Sequence, residues 1–325
     1  MADLDRRYSP RAGTTLDKLD NCMSVEKIAY GGWPNCYRIT NGEVELIVTS
    51  DVGPRVIRYG FVGGQNLFKE FAEQMGKSGE KTWQIRGGHR VWIGPEDARY
   101  TYGLDNGPVH VEAGENSLRA VQPTEPESGL QKSLEIHLAP TGTRVGVVHR
   151  IINKNVLPVE FAPWAPSVMA PGGIGITGFP PRGTHPQMLA PTNPLVMWAY
   201  TDLSDPRWIF MKKYLGLRQD PNAKTPQKIG LFNPRTFGAY LLKNELFLKQ
   251  YQAEVDKVYP EYFCSFQTFT NADFLELETF GPFAKLLPDQ GTELIENWSL
   301  HKDVHIQHWN DEEVDAVLLP LLKSA

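Results

Sequence analysis

Apolar residues along this chain fall in short runs, often alternating with polar ones, and turn residues separate the runs. The clearest unit is a hairpin. Residues 36–40 and 43–48 alternate like strands on either side of Asn41-Gly42, a pair that suits a tight turn because both central positions favour positive φ. A further strand over 55–59 runs into the turn Gly63-Gly64-Gln65-Asn66. The same pattern predicts strands over 117–121, 130–138, 144–153, 159–162, 208–214, 237–242, 246–251, 274–278 and 294–300.

Helical periodicity is scarce. A short helix is expected over 69–75. A longer one is expected at the C-terminus, where Asn310 can cap, Glu313 has capping-box spacing, and Val314, Val317 and Leu318 share a face. Asp311-Glu312-Glu313 then sits where a helix dipole favours negative charge. Strands in succession without alternating helices predict an all-β fold, antiparallel sheets packed as a sandwich, with few short helices. The sequence has no internal repeat, linker or sharp change of composition, so residues 16–325 read as a single domain behind a flexible tail over 1–15.

Composition supports this picture. The 325 residues include 29 glycines and 25 prolines, which fall between the strand-like runs. A net charge of −5 offers no basic field for nucleic acid, and no apolar run reaches the roughly 18 residues of a membrane span. The first residues lack the apolar segment of a signal peptide, so the cytoplasm is the expected location. Cys22, Cys36 and Cys264 are too scattered for a disulfide framework or a zinc cage and read as buried thiols.

Two motifs have plainer readings than their letters suggest. Gly173-Ile174-Gly175-Ile176-Thr177-Gly178 spells a dinucleotide fingerprint, but prolines follow where a helix must begin, so a glycine-rich rim loop is expected and no cofactor. His301, His305 and His308 read as polar residues of a strand continuing from Trp298, with Val304 and Ile306 on its other face. No metal is expected there.

The chemistry concentrates in two stretches. One runs Arg86-Gly87-Gly88-His89-Arg90-Val91-Trp92-Ile93-Gly94-Pro95-Glu96, in which the glycine pair is expected to place His89 at a rim beside Arg90. The other is Leu275-Glu276-Leu277-Glu278, followed by Gly281-Pro282. The period of a strand puts Glu276 and Glu278 on one face, which either meets solvent or lines a cleft. Trp92 and Trp164 are set among glycine, proline and polar residues, unlike the remaining aromatics. An acid, a base, forked cations and flat indoles are the groups a polyol needs.

These segments, in this order over residues 36–305, resemble the galactose mutarotase-like superfamily of aldose 1-epimerases and hexose-6-phosphate 1-epimerases. Val52-Gly53-Pro54-Arg55-Val56-Ile57-Arg58-Tyr59 is similar to its early strand. Arg86-Gly87-Gly88 with Trp92 and Pro95 resembles the hexose-phosphate branch. Leu277-Glu278 with Leu287-Pro288-Asp289-Gln290-Gly291 resembles the strand that carries the catalytic glutamate. Most similar of all is a branch with Gly-Gly-His-Arg-x-Trp and Glu-Leu-Glu-Thr-x-Gly-Pro segments. The resemblance implies a large β-supersandwich with a sugar cleft across one sheet. It implies Glu278 as base and His89 as acid in ring opening at the anomeric carbon, with Arg86, Arg90, Trp92, Trp164 and Glu276 binding a sugar or sugar phosphate. Relatives carry a histidine in an Asn-His-x-Tyr-Phe-Asn segment, whereas the comparable stretch 153–168 holds Trp164 and no histidine. The expected function is therefore carbohydrate binding with anomer epimerisation. Non-catalytic sugar binding, or a glycoside lyase or hydrolase, stands as the alternative.

Overall fold

A computed structural model of the protein describes residues 23–323. The expected tail over 1–15 and Cys22 lie outside the described residues. Twenty-two strands form two antiparallel sheets. The first sheet runs from one edge through Ser24–Tyr30, Trp33–Thr40, Val44–Thr49, Arg55–Phe61, Gly88–Arg90, Val159–Met169, Leu275–Phe280, Phe266–Thr270 and Gln227–Leu231 to Leu195–Met197. Trp92–Gly94 and Ala284–Leu286 pair further along Val159–Met169. The second sheet runs through Trp208–Phe210, Tyr214–Arg218, Ile174–Gly178, Phe237–Leu242, Glu245–Tyr251, Gly291–His301, Val145–Asn153, Leu130–Leu138 and Ser117–Val121 to His110–Ala113.

The sheets close on a core to which alternate residues of each contribute. Val56, Met169, Leu275 and Leu277 come from the first sheet, and Ile136, Val147, Phe247 and Trp298 from the second. Each such side chain contributes about 1.5–3 kcal/mol by leaving water. The C-terminal helix Asp311–Lys323 packs on the outside of the second sheet, burying Val314 and Leu318 against Phe237, Leu246 and Leu248. Its cap is as expected, with Glu313 N–H donating to Asn310 Oδ1 at 2.9 Å. The Glu313 carboxylate, however, accepts from the Gln307 and His308 N–H groups instead of closing a capping box. No helix among the described residues is long and apolar enough to cross a membrane.

Several local expectations are corrected. In the hairpin only Gly42 has positive φ, and Asn41 instead accepts the Glu43 and Val44 N–H groups on Oδ1. Residues 69–71 are extended and 72–75 form a turn, because Lys69 O accepts from Gly88 N–H and Phe71 N–H donates to Arg86 O, which ties this stretch to the sheet. The segment 208–214 divides into two strands around a turn, with Met211 N–H donating to Tyr214 O. The glycine-rich 173–178 segment is no rim loop. Ile174–Gly178 is a strand inside the second sheet, and a Cβ on Gly175 would press on Leu275 at 3.0 Å. The C-terminal strand stops at His301, since Asp303 at φ +57° turns the chain away before His305 and His308.

Candidate functional site

Strand alternation builds the site on the outer face of the first sheet. Glu276 and Glu278 point outward from Leu275–Phe280 while Leu275 and Leu277 enter the core. Glu278 lies beside Gln267 on one neighbouring strand and Pro166 on the other; Phe269, beside Glu276, is paired in turn with Lys228. One row further along stand Trp164, Phe280 and Trp92. Arg90 emerges on this face too, donating to Glu276 at 3.0 Å.

These residues form a continuous aromatic and ionic patch. The Trp92 and Trp164 rings lie 5.1 Å apart, and Trp164 stacks on Phe280 at 4.8 Å. The Arg90 guanidinium sits 4.1 Å over Trp92, and the Lys228 ammonium lies 5.3 Å from Trp164 and 4.8 Å from Trp198. Lys228 Nζ also approaches Glu278 at 3.2 Å and Glu96 at 3.8 Å. Burial opposes the Lys228 charge, but Glu278, Glu96, Glu276 and Glu261 together outweigh it and hold its pKa above the usual lysine value. Burial pushes Glu278 up to about 8; Lys228 opposes that shift, and Glu276 and Glu96 add to it.

Loops wall the patch. Trp83 and Tyr102 pack against Trp92, and Tyr102 donates to Glu96. Opposite them the chain makes a left-handed turn, with Glu261, Tyr262 and Phe263 all at positive φ, a conformation that costs roughly 1–2 kcal/mol per residue. That turn aims the Glu261 carboxylate at Glu96 N–H and at the Gln267 amide. Exposed Glu96 and Tyr200 stand at the mouth.

Most telling are the buried polar atoms that lack a partner. Glu278 Oε1, Gln267 Oε1, Trp164 Nε1, Trp83 Nε1 and Arg90 Nε and Nη1 are all among them. Each costs about 1–3 kcal/mol in an empty interior, and a native fold carries few. Here acceptors and donors without partners gather around three indoles.

His89 does not belong to this group. The expectation that it opposes Glu278 at a rim is overturned, because it follows a glycine pair that lies in the middle of the sheet. Gly87 and Gly88 have positive φ, and a Cβ there would lie 1.9 Å from Lys69 O and 2.4 Å from Val56 O. His89 is paired with Val56 and Ser167 and points into the core, where its Nε2 meets His149 Nε2 at 2.5 Å. His149 Nδ1–H donates to Leu294 O at 2.7 Å, so His149 Nε2 accepts from His89 Nε2–H. His89 Nδ1 then accepts from Ser167 Oγ–H at 2.8 Å. Burial first, then the neighbouring His149 and Lys249, holds His89 well below the usual histidine pKa.

Arg86 is likewise corrected as a substrate contact. It is fully buried, donating to Gln74 O and Lys77 O through Nη1 and to Glu80 and Asn106 through Nη2. Its work is to knit the loop before Gly87. Arg90, Trp92, Trp164, Glu276 and Glu278 come together as the sequence suggested. The sequence reading missed Lys228 and Gln267, whose only signal was a polar residue beside apolar ones, and Trp83 and Trp198, which no local pattern sets apart from core aromatics.

His89, His149 and Glu296 form a buried cluster of the kind that can hold a metal, but its chemistry argues otherwise. Glu296 already accepts from Lys249 at 3.1 Å, from Thr279 and from Trp298 Nε1 at 2.7 Å, so an ammonium occupies the cation's place. A separate surface cavity of about 640 Å³ opens over His137, Asn297, Ser299 and His301 on the second sheet. It is lined by none of the partnerless buried groups.

No family profile matches the sequence, and no curated protein matches it. Solved structures do. A candidate aldose 1-epimerase from Klebsiella pneumoniae superposes over 93% of this chain and 87% of its own, with 12% identity and a TM-score of 0.55. The fold is that of the galactose mutarotase-like proteins. A galactose mutarotase related enzyme from Lactobacillus acidophilus matches over 82% of this chain and 98% of its own, at 9% identity and a TM-score of 0.51. A galactose mutarotase-like protein from Lactobacillus casei matches over 86% and 100%, at 11% identity and a TM-score of 0.50. At such identities the likeness concerns the fold, and the site must be judged by its own residues.

Proposed function

We propose that the protein binds a sugar on the outer face of the first sheet and interconverts its anomers, with Glu278 as base and Lys228 as the cationic partner. One observation carries this reading: the partnerless buried atoms of Glu278, Gln267, Trp164, Trp83 and Arg90 gather at a cluster of indoles packed tilted or edge to face. Ring hydroxyls satisfy such donors and acceptors, and the C–H face of a sugar packs on indole. The names of the structural neighbours, aldose 1-epimerase and galactose mutarotase, support the same substrate class.

The chemistry follows from ordinary acid–base roles. Ionised Glu278 takes the proton of the anomeric hydroxyl, the bond from the anomeric carbon to the ring oxygen breaks, and Lys228 stabilises or protonates that oxygen. The aldehyde rotates and the ring recloses from its other face. The two oxygens share one carbon, so their partners must lie close together, as Glu278 and Lys228 do at 3.2 Å. No cofactor enters this scheme.

The test is anomer exchange by NMR over a panel of free and phosphorylated sugars, for the parent and Glu278→Gln. Exchange catalysed by the parent and lost in the variant supports the reading. Sugar binding with no catalysed exchange would establish a binding protein instead.

A further inference from the structure

A lysine from the opposite sheet reaches the back of this site. Lys249 lies in Glu245–Tyr251 of the second sheet and is fully buried. Its ammonium crosses the core to Leu277 O at 2.9 Å and Ala165 O at 3.0 Å. Leu277 precedes Glu278 and Ala165 follows Trp164, on strands paired with each other through Pro166 and Glu278. Glu296 Oε1 at 3.1 Å and Ser167 Oγ at 3.3 Å complete its surroundings.

Burial holds the Lys249 pKa below the usual lysine value, although Glu296 opposes the shift. The donor count identifies the species present. The carboxylate and both carbonyls can only accept, and the Ser167 hydroxyl already donates to His89 Nδ1, so three N–H bonds are satisfied and nothing is left to donate to the lone pair of a neutral amine. Glu296 is fixed in turn by Thr279 and Trp298 and is held ionised, since Lys249 and His149 outweigh its burial.

We propose that Lys249 is a positioning residue of the sugar site: from inside the core it fixes the two strands that present Trp164 and Glu278, and its positive charge stands behind the Glu278 carboxylate. The proposal rests on Glu278 being the base of that site. Glu278 then faces Lys228, Glu276 and Glu96 on the outer side and Lys249 through the sheet, while Lys249 itself faces Glu296, His149 and His89. A cation on each side allows a carboxylate buried this deeply to ionise at all.

The test compares Lys249→Met with the double variant Lys249→Met/Glu296→Gln, which leaves no buried ion unpaired. The Glu278 carboxyl is titrated by ¹³C NMR, with its signal assigned by its loss in Glu278→Gln, and the pH profile of anomer exchange is recorded alongside. In Lys249→Met the Glu278 midpoint should rise by about one pH unit, and the exchange rate below the midpoint should fall about tenfold. The double variant should show a smaller rise in the same direction. An unchanged Glu278 midpoint in the folded double variant would overturn the proposal, since a merely structural lysine leaves the titration where it was. Unfolding of both variants at neutral pH would also overturn it, making Lys249 a residue of the fold alone. If the parent exchanges no sugar, the enzymatic reading fails by itself, and the titration still decides what Lys249 does.

Discussion

Arg90 and His89 are chain neighbours that serve opposite sides of one sheet. Arg90 reaches out to Glu276 at 3.0 Å, while His89 meets His149 in the core at 2.5 Å. Both are buried, but Arg90 keeps two guanidinium nitrogens without partners while both ring nitrogens of His89 are satisfied, so substitutions one position apart should have unlike effects.

Glu278→Gln keeps the shape of the side chain and removes the proton acceptor. Catalysed anomer exchange should fall by roughly 100-fold or more, with sugar affinity changed much less. Glu276→Gln frees Arg90 from its ion pair and should alter affinity more than turnover. Both follow from exchange rates and a binding titration. Equal losses of turnover would show that the two carboxylates act together.

Lys228→Met should also lower turnover, because it removes the ammonium 3.2 Å from Glu278. His89→Gln should leave turnover of the folded protein within a few-fold and instead weaken the fold by about 1–3 kcal/mol, through the broken bonds to Ser167 and His149. Urea unfolding alongside exchange rates separates the two. A His89→Gln protein of normal stability and lost turnover would restore histidine to the mechanism.

The raised Glu278 pKa has opposite consequences for activity and stability. Exchange should climb with pH and level off above about 8, where the base is ionised. The stability contributed by its elevated folded pKa is complete below the unfolded carboxylate range and is lost as pH rises toward 8. Glu278→Gln should therefore gain stability over the parent as pH goes from 5 to 9, as read by urea midpoints. His89 and His149 act in the other direction. Both are held below the usual histidine value, chiefly by burial, so their contribution is present above about 6.5 and lost as pH falls.

Gly88→Ala puts a methyl group 2.4 Å from Val56 O at φ +70°. The chain at Gly88–Arg90 must then shift, and a loss of more than about 2 kcal/mol is expected in thermal or urea unfolding. A neutral result would mean that this strand can move without cost.

The strands were legible wherever the reason for them is local. Residues 117–121, 130–138 and 237–242 alternate or run apolar between turns, and they fold at those bounds. The strand Val159–Met169 was read too short, because Pro163 and Pro166 look like stops. Pro163 is instead paired with Ile93, and Pro166 sits where the chain passes from pairing with Trp92–Gly94 to pairing with Gly88–Arg90. The common face of Glu276 and Glu278 was visible in the period of two. That this face is roofed by Trp83, Tyr102 and the turn at Glu261 was not, since those contacts join distant segments. Gly87-Gly88 misled for a related reason. A glycine pair suggests a loose rim, but here it lets the strand pass within contact of Lys69 and Val56, which no local pattern announces.

The strand order has a consequence for synthesis. Leu275–Phe280 and Gly291–His301 follow both of their neighbours in the chain and lie inside their sheets with partners on both sides. Until the ribosome has released them, Val159–Met169 and Phe266–Thr270 in one sheet, and Glu245–Tyr251 and Val145–Asn153 in the other, face gaps instead of neighbours. Val145–Asn153 and Val159–Met169 therefore keep a bare edge, open to wrong partners, while the strands between them and their later neighbours are made. Those edges are ones that the finished fold covers.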